Sequence, residues 1–224
     1  MTDRPIIFSA PMVRAMLDGR KTQTRRVLKP QPEYIESSGR WKWSLPPKTR
    51  RNVTGGSVAT GSREFWEYAP NGSFPYAVGD RLWVREAWRA EAGYDDTPPR
   101  ALEYDSCMIC FEANGAWSDH DAMTYAGRLR PSIHMPRWAS RLTLTVTEVR
   151  VQRLQDISEA DAVAEGCDAV LALTIKRPNG AHPGNPRECY CDLWNSLHGP
   201  GAWDRNDWVA AITFDVVKRN IDAT

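Results

Sequence analysis

Apolar positions along this chain keep two rhythms, a period of two for strands and of three to four for helices. Pro5-Ile6-Ile7-Phe8 is a short apolar run and predicts a first strand. Ser9, two residues before Pro11, is a helix start, and Val13, Met16 and Leu17 give that helix one apolar face until Gly19 stops it. Thr22 to Leu28 predicts an extended segment. Val78-Gly79-Asp80 predicts a turn leading into a strand over Arg81–Trp88, in which Leu82, Val84, Glu86 and Trp88 share one face. The clearest strand covers Arg141–Arg153. Its apolar positions slip from Leu142, Leu144 and Val146 to Val149 and Val151, which predicts a bulge near Thr147-Glu148. Ser158-x-x-Asp161 opens a short helix that Gly166 ends, and its expected role is packing. Beyond a partly apolar stretch and loop over 168–186, Tyr190, Leu193, Trp194 and Leu197 recur at helical spacing up to Gly199-Pro200-Gly201. Trp208, Ala210, Ile212, Phe214 and Val216 alternate in a last strand.

Two regions break the rhythm. Residues 30–75 carry Pro30, Pro32, Pro46, Pro47 and Gly55-Gly56. Among them lie Trp41, Trp43, Phe65, Trp66 and Tyr68, with Lys48, Arg50 and Arg51. This predicts a loop or loose hairpin folded onto the body by its aromatics, with a lid as the functional alternative. Residues 89–130 form a second irregular region with one strand at Ala101-Leu102-Glu103-Tyr104. Its Asp119-His120-Asp121 run reads as a solvated loop rather than a metal cluster. Pro131 to Trp138 contains two prolines and is expected to be extended, with His134, Arg137 and Trp138 lining a pocket for a planar, polar ligand. No internal repeat and no clean linker interrupt the 224 residues, so a single domain over 1–224 is expected.

Composition narrows the function classes. A net charge of +1 provides no global basic field, so any nucleic-acid contact must come from a local patch. Ten tryptophans are many for this length, and some are candidates for base stacking. No apolar run is long enough to span a bilayer and no leader pattern opens the chain, so no membrane partner is expected. With an odd count of five cysteines, a reducing cytoplasm is the expected compartment. Cys107-x-x-Cys110 has finger-like spacing but Cys189-x-Cys191 is one residue too tight, so reduced thiols are expected rather than zinc.

The candidate chemistry centres on Gly19 to Arg26. Arg20, Lys21, Arg25 and Arg26, with Lys29 just beyond, crowd around Thr22 and Thr24. Such like charge needs an anion or a carboxylate nearby. Glu86 points inward behind Leu82 and Val84, and an inward carboxylate needs a cationic or hydrogen-bonding partner or it takes a proton. The cationic junction is the expected partner.

The order strand, helix, Gly-Arg-Lys-Thr-x-Thr-Arg, Val-Gly-Asp-x-Leu-x-Val-Arg-Glu, long strand and capped short helix resembles the ASCH family. It is most similar to the longer members that phages and prophages encode. The resemblance rests on Ile7-Phe8, Gly19 to Arg26, Gly79 to Trp88 and Arg137 to Gly166, and leaves out the two insertions. It implies an α+β fold, a PUA-like mixed β-barrel with short flanking helices and two long loop insertions. It also implies one of two jobs. The first is metal-independent amidohydrolysis of N4-acylated cytosine nucleosides, with no cofactor and with catalytic residues matching Lys21, Thr24 and Glu86. The second is non-catalytic binding of RNA, single-stranded nucleic acid or a modified base; ribonuclease activity is a third possibility.

For amide cleavage, burial and the neighbouring Arg25 and Arg26 would lower the Lys21 pKa and Glu86 would raise it. Either Glu86 is the ultimate base and Lys21 the oxyanion partner, or Lys21 activates Thr24 and Glu86 carries the leaving-group proton. Ser9, Arg25, Arg26, Trp88, His134, Arg137 and Trp138 complete the candidate substrate contacts, with Trp88 or Trp138 stacking on the ring.

Overall fold

The structure is a computed structural model, and it describes residues 2–29, 31–35, 40–42, 59–60, 76–103, 107–114, 126–178 and 180–223. Strands in chain order are β1 (Asp3–Ile7), β2 (Gln23–Val27), β3 (Glu33–Ile35), β4 (Arg40–Lys42), β5 (Ala59–Thr60), β6 (Arg81–Arg85), β7 (Trp88–Ala90), β8 (Ile109–Phe111), β9 (Thr143–Arg153) and β10 (Trp208–Val217). The α-helices among the described residues are α1 (Ala10–Leu17), α2 (Glu159–Ala164), α3 (Ala169–Thr174) and α4 (Pro186–His198). The fold is α+β. Its mixed sheet runs β1-β6-β9-β10-β2, with β1 parallel to β6, β6 antiparallel to β9, and β10 antiparallel to β2. β5 pairs with β9 off this path, and β3-β4 and β7-β8 are separate two-stranded ribbons.

By backbone proximity the chain divides into two compact units. The first comprises residues 1–19, 80–145 and 215–224, and the second 20–79 and 146–214. In the first, Trp88, Ala90, Leu102, Met135 and Ala139 form a buried cluster. In the second, Leu154, Ile157, Ala162, Tyr190, Trp194 and Val209 belong to another. The helices start and stop for local reasons. In α4, Asn185 Oδ1 accepts the Glu188 N–H at 2.8 Å, capping a donor the helix start leaves unpaired, while the Glu188 carboxylate accepts from the Asn185 side-chain amide at 3.2 Å and from the Gly184 N–H at 3.1 Å. Pro186 takes the first helical position, where its missing N–H costs nothing.

Several expectations are corrected. The strand expected over Arg81–Trp88 stops at Arg85. Trp88 begins β7, where its N–H and C=O both bond to Arg130, so the ribbon and the main sheet compete for this stretch and share it. Pro99–Ala101 is a 3-10 turn, and among the described residues of that region Ile109–Phe111 forms a strand paired with Trp88–Ala90. Pro131 and Pro136 do not hold their segment extended. Each sits in polyproline geometry just ahead of a 3-10 turn, over Ser132–His134 and Arg137–Ala139. Along β9 the buried positions change parity from Leu144 and Val146 to Val149 and Val151, as the apolar slip expects. Trp41 lies in β4 opposite Tyr34, whereas Trp43, Lys48, Arg50, Arg51, Phe65, Trp66, Tyr68 and Asp119–Asp121 lie outside the described residues. Among the described residues no helix is long and apolar enough to cross a membrane.

Candidate functional site

Lys21 is delivered by a turn. Gly19 closes α1 at φ +74, a left-handed angle that a side chain resists, and Arg20 to Thr22 then lead into β2. Thr22 is pinned from both sides, its N–H on the Ala164 carbonyl at 2.9 Å and its carbonyl under the Phe214 N–H at 2.9 Å. The first of these bonds sets Lys21 against the C-terminal end of α2. Ser158 starts that helix by accepting the Asp161 N–H at 3.0 Å, and Gly166 ends it at φ +92, leaving Glu165 as its last residue in right-handed geometry.

There Lys21, completely buried, meets Glu165, which is 3% exposed. Its Nζ donates to Glu165 Oε2 at 2.7 Å, to the Glu165 carbonyl at 2.8 Å and to the Gln23 carbonyl at 2.7 Å. Three acceptors match the three protons of an ammonium, and one of them is a carbonyl left unpaired by the helix end. At 2.7 Å and an effective dielectric near 20, the ion pair attracts by about 6 kcal/mol. Burial costs several kcal/mol per ion. Burial wins, and the Lys21 pKa lies below its ordinary value although Glu165 opposes the shift.

Arg25 shares the same carboxylate. Its guanidinium lies 3.1 Å from Glu165 and 3.1 Å from Asp161, donates to Gln23 Oε1 at 2.6 Å, and sits over the Tyr190 ring. Arg150 donates to Asp161 at 2.7 Å. Burial pushes the Asp161 carboxyl up, and Arg150 and Arg25 more than reverse this, holding it below its usual range. Burial first and Glu165 second hold the Tyr190 phenol well above its ordinary pKa, so it stays protonated. Arg20 pairs with Asp168 at 2.9 Å. Three cations of the 19–26 stretch, Arg20, Lys21 and Arg25, are thus answered by carboxylates of one short segment, 161–168.

Thr24 is buried on β2 directly across from Ile212. Strand alternation puts its side chain on the face opposite to Gln23 and Arg25. The structure brings Lys21, Arg25 and Glu165 together and sends Thr24 to the other side of the strand. Arg26 is half-buried on Thr24's face.

The remaining predicted residues lie in the first unit. Glu86 is 1% exposed, as the apolar face of its strand predicts, and its partner is Arg141 rather than the cationic junction. Arg141 grips both carboxylate oxygens, Nε to Oε1 at 2.8 Å and Nη2 to Oε2 at 2.9 Å. Burial outweighs this grip and raises the Glu86 pKa. Trp88 is wholly buried with Arg130 over its ring. Ser9 is exposed at the start of α1 and makes no side-chain cap, and His134 is exposed at the end of a 3-10 turn. Arg137 is committed to Asp3 and Asp222, both at 2.6 Å. Trp138 lines a cavity of about 450 Å³ and donates from Nε1 to the Leu102 carbonyl at 3.2 Å.

Glu165 is the residue that sequence reasoning missed. Its signal was the unmet need of Lys21 and Arg25 for an inward carboxylate, together with a glutamate just ahead of the glycine that stops a capped helix. The thiols of Cys167 and Cys189 are hydrogen-bonded to each other, which with burial keeps Cys167 protonated. Among the described residues no group of three His, Cys, Asp or Glu side chains is placed to hold a metal ion. Searches of protein-family models, of curated proteins and of solved structures find no match to this chain.

Proposed function

We propose that the chain is a long ASCH-type protein, its sheet part of a PUA-like barrel. We propose further that it is a metal-independent amidohydrolase removing the acyl group from N4-acylated cytosine nucleosides or related amides. The observation that carries the reading is the buried Lys21–Glu165 pair in the Lys-Thr-x-Thr segment, at 2.7 Å and with the lysine's pKa lowered. A lysine that gives up its proton more easily than usual, held on a carboxylate that can take it, is a proton-transfer pair. In this reading the pair accepts the nucleophile's proton as the nucleophile's oxygen adds to the acyl carbon. It returns that proton to the cytosine nitrogen as the carbon–nitrogen bond breaks. The acyl group leaves as the carboxylic acid, directly when the nucleophile is water and by water's hydrolysis of the acyl ester when it is the Thr24 hydroxyl. Glu165 takes the acid's role that the resemblance alone assigns to Glu86.

The test is hydrolysis of N4-acetylcytidine by the purified protein beside Lys21→Ala and Thr24→Ala. Cleavage by the unmodified protein and none by Lys21→Ala is expected. Turnover that survives Lys21→Ala removes the mechanism. Thr24 leaves β2 on the other face, so Thr24→Ala decides the nucleophile: loss of activity makes it the Thr24 hydroxyl, and retention makes it water.

One observation favours a second reading, a non-catalytic reader of RNA or of a modified base. The three protons of Lys21 already have acceptors, as in a structural ion pair. A reader binds oligonucleotides with an affinity that falls steeply with salt. Absence of binding at low salt counts against it.

A further inference from the structure

The 450 Å³ cavity of the first unit is lined by residues of contrasting character. Its volume lies within the roughly 300–1,000 Å³ span of small-ligand sites. Trp138 and Ile109 supply apolar lining. The Trp138 Nε1–H is on the Leu102 carbonyl, so what this residue brings to the cavity is apolar ring surface rather than a donor. Arg141, Lys218 and Arg219 supply cationic lining.

The backbone that carries Lys218 and Arg219 is fixed in place. Asn220 Nδ2 reaches the carbonyls of Arg137, Trp138 and Ser140 at 2.9, 3.0 and 2.7 Å, stitching the 218–220 segment to the turn that carries Trp138. Thr143 Oγ1 donates to the Arg219 carbonyl at 3.0 Å. Arg141 is held by Glu86, by Asn114 Oδ1 at 2.7 Å and over the Phe111 ring at 4.1 Å. These bonds use three of its five N–H groups, so one remains on each Nη. Glu86 balances the Arg141 charge. Among the described residues Lys218 and Arg219 pair with no carboxylate, so the cationic lining keeps a positive excess.

We propose that this cavity binds a nucleotide, its base against Trp138 and its phosphate on Lys218, Arg219 and the remaining N–H groups of Arg141. A cavity lined by an aromatic ring and by three cations suits a ligand that is aromatic at one end and a phosphate at the other. Glu86 is a positioning residue for Arg141 here. The assignment is independent of the Lys21 reading, because those residues belong to the second unit and nucleoside monophosphates carry no acyl amide to cleave.

The full chain is titrated calorimetrically with CMP, AMP, cytidine and inorganic phosphate. Both nucleotides are expected to bind, with cytidine about tenfold weaker or more, as loss of charge-assisted contacts requires. Lys218→Ala/Arg219→Ala changes two exposed side chains. It is expected to weaken CMP about tenfold or more, with an unchanged melting temperature. Trp138→Leu is expected to weaken CMP and cytidine alike. A 5′-phosphorylated trinucleotide separates the two sources of the same chemistry. Affinity equal to that of CMP identifies a free nucleotide, and tighter binding identifies the end of a strand. The proposal is overturned by equal affinity for CMP and cytidine, by no binding of either nucleotide, or by an unchanged CMP affinity in the folded double variant.

Discussion

Glu165→Gln removes a single charge from a buried cluster and leaves its shape nearly intact. Lys21 and the Arg25 side chain are both fully buried, and Glu165 is the acid they share. Arg25 keeps Asp161 at 3.1 Å, whereas Lys21 loses the Glu165 carboxylate and keeps the Gln23 and Glu165 carbonyls. Breaking a buried pair from one side costs about 3–5 kcal/mol. Because glutamine still accepts a hydrogen bond, the low end applies, about 3 kcal/mol, or a fall in Tm of roughly 6–12 °C for a chain of this size. The assay is urea denaturation across pH. The sign follows from Lys21, whose folded pKa is below its ordinary value; that group's contribution is therefore present at high pH and lost as pH falls through the folded pKa. Glu165 opposes the lowering, so its loss lowers the folded pKa further. The variant's deficit is accordingly full while the Lys21 amine is protonated in both proteins. It shrinks as pH climbs from the variant's folded pKa toward the wild-type one, because the variant's amine gives up its proton first. In Lys21→Met/Glu165→Gln the two losses should overlap by about 1 kcal/mol or more. A deficit under about 1 kcal/mol, additive effects, or a deficit that grows as pH rises would refute the reasoning.

Two further outcomes follow from the same physics. Arg141→Met strands Glu86, which is 1% exposed, at a cost of about 3 kcal/mol near neutral pH. The Glu86 pKa is already raised by burial, so its contribution is present below the unfolded value of about 4.5 and lost as pH rises through the folded one. The cost of Arg141→Met should therefore shrink toward acid pH in paired urea melts, and a cost that does not shrink contradicts it. Ser158→Ala removes the cap on α2 at about 1 kcal/mol. Because that helix carries Asp161 and ends at Glu165, amide exchange should quicken over 159–166 before the rest of the chain responds.

Local chemistry made much of the fold legible. Ser9 with Pro11, Ser158 with Asp161, and the glycines at 19, 79 and 166 mark starts and stops that depend on residues within a turn of one another. A short apolar run marked β1 and an extended stretch β2, while alternation placed β9 and β10 and put Glu86 inside. What escaped depends on partners far along the chain. Nothing near Trp88 announces that its backbone pairs with Arg130, and this pairing ends β6 early. Cationic crowding in the 19–26 stretch called for a carboxylate, but Glu165 lies 144 residues from Lys21 and Asp161 lies 136 from Arg25. Glu86 was the acid that a single strand's alternation could expose to reasoning. Glu165 became visible only once the Thr22–Ala164 bond set the turn against the helix end.

The central claim is that the Lys21–Glu165 pair moves the proton in amide cleavage. Its most direct measurement is kcat/KM for N4-acetylcytidine in the unmodified protein and in Glu165→Gln, both at a temperature where the variant is folded by circular dichroism. The account predicts measurable turnover in the first and a fall of about 10²–10⁴-fold in the second, the usual worth of a general acid–base group. An inert unmodified protein, or a folded Glu165→Gln that turns over at the unmodified rate, contradicts it.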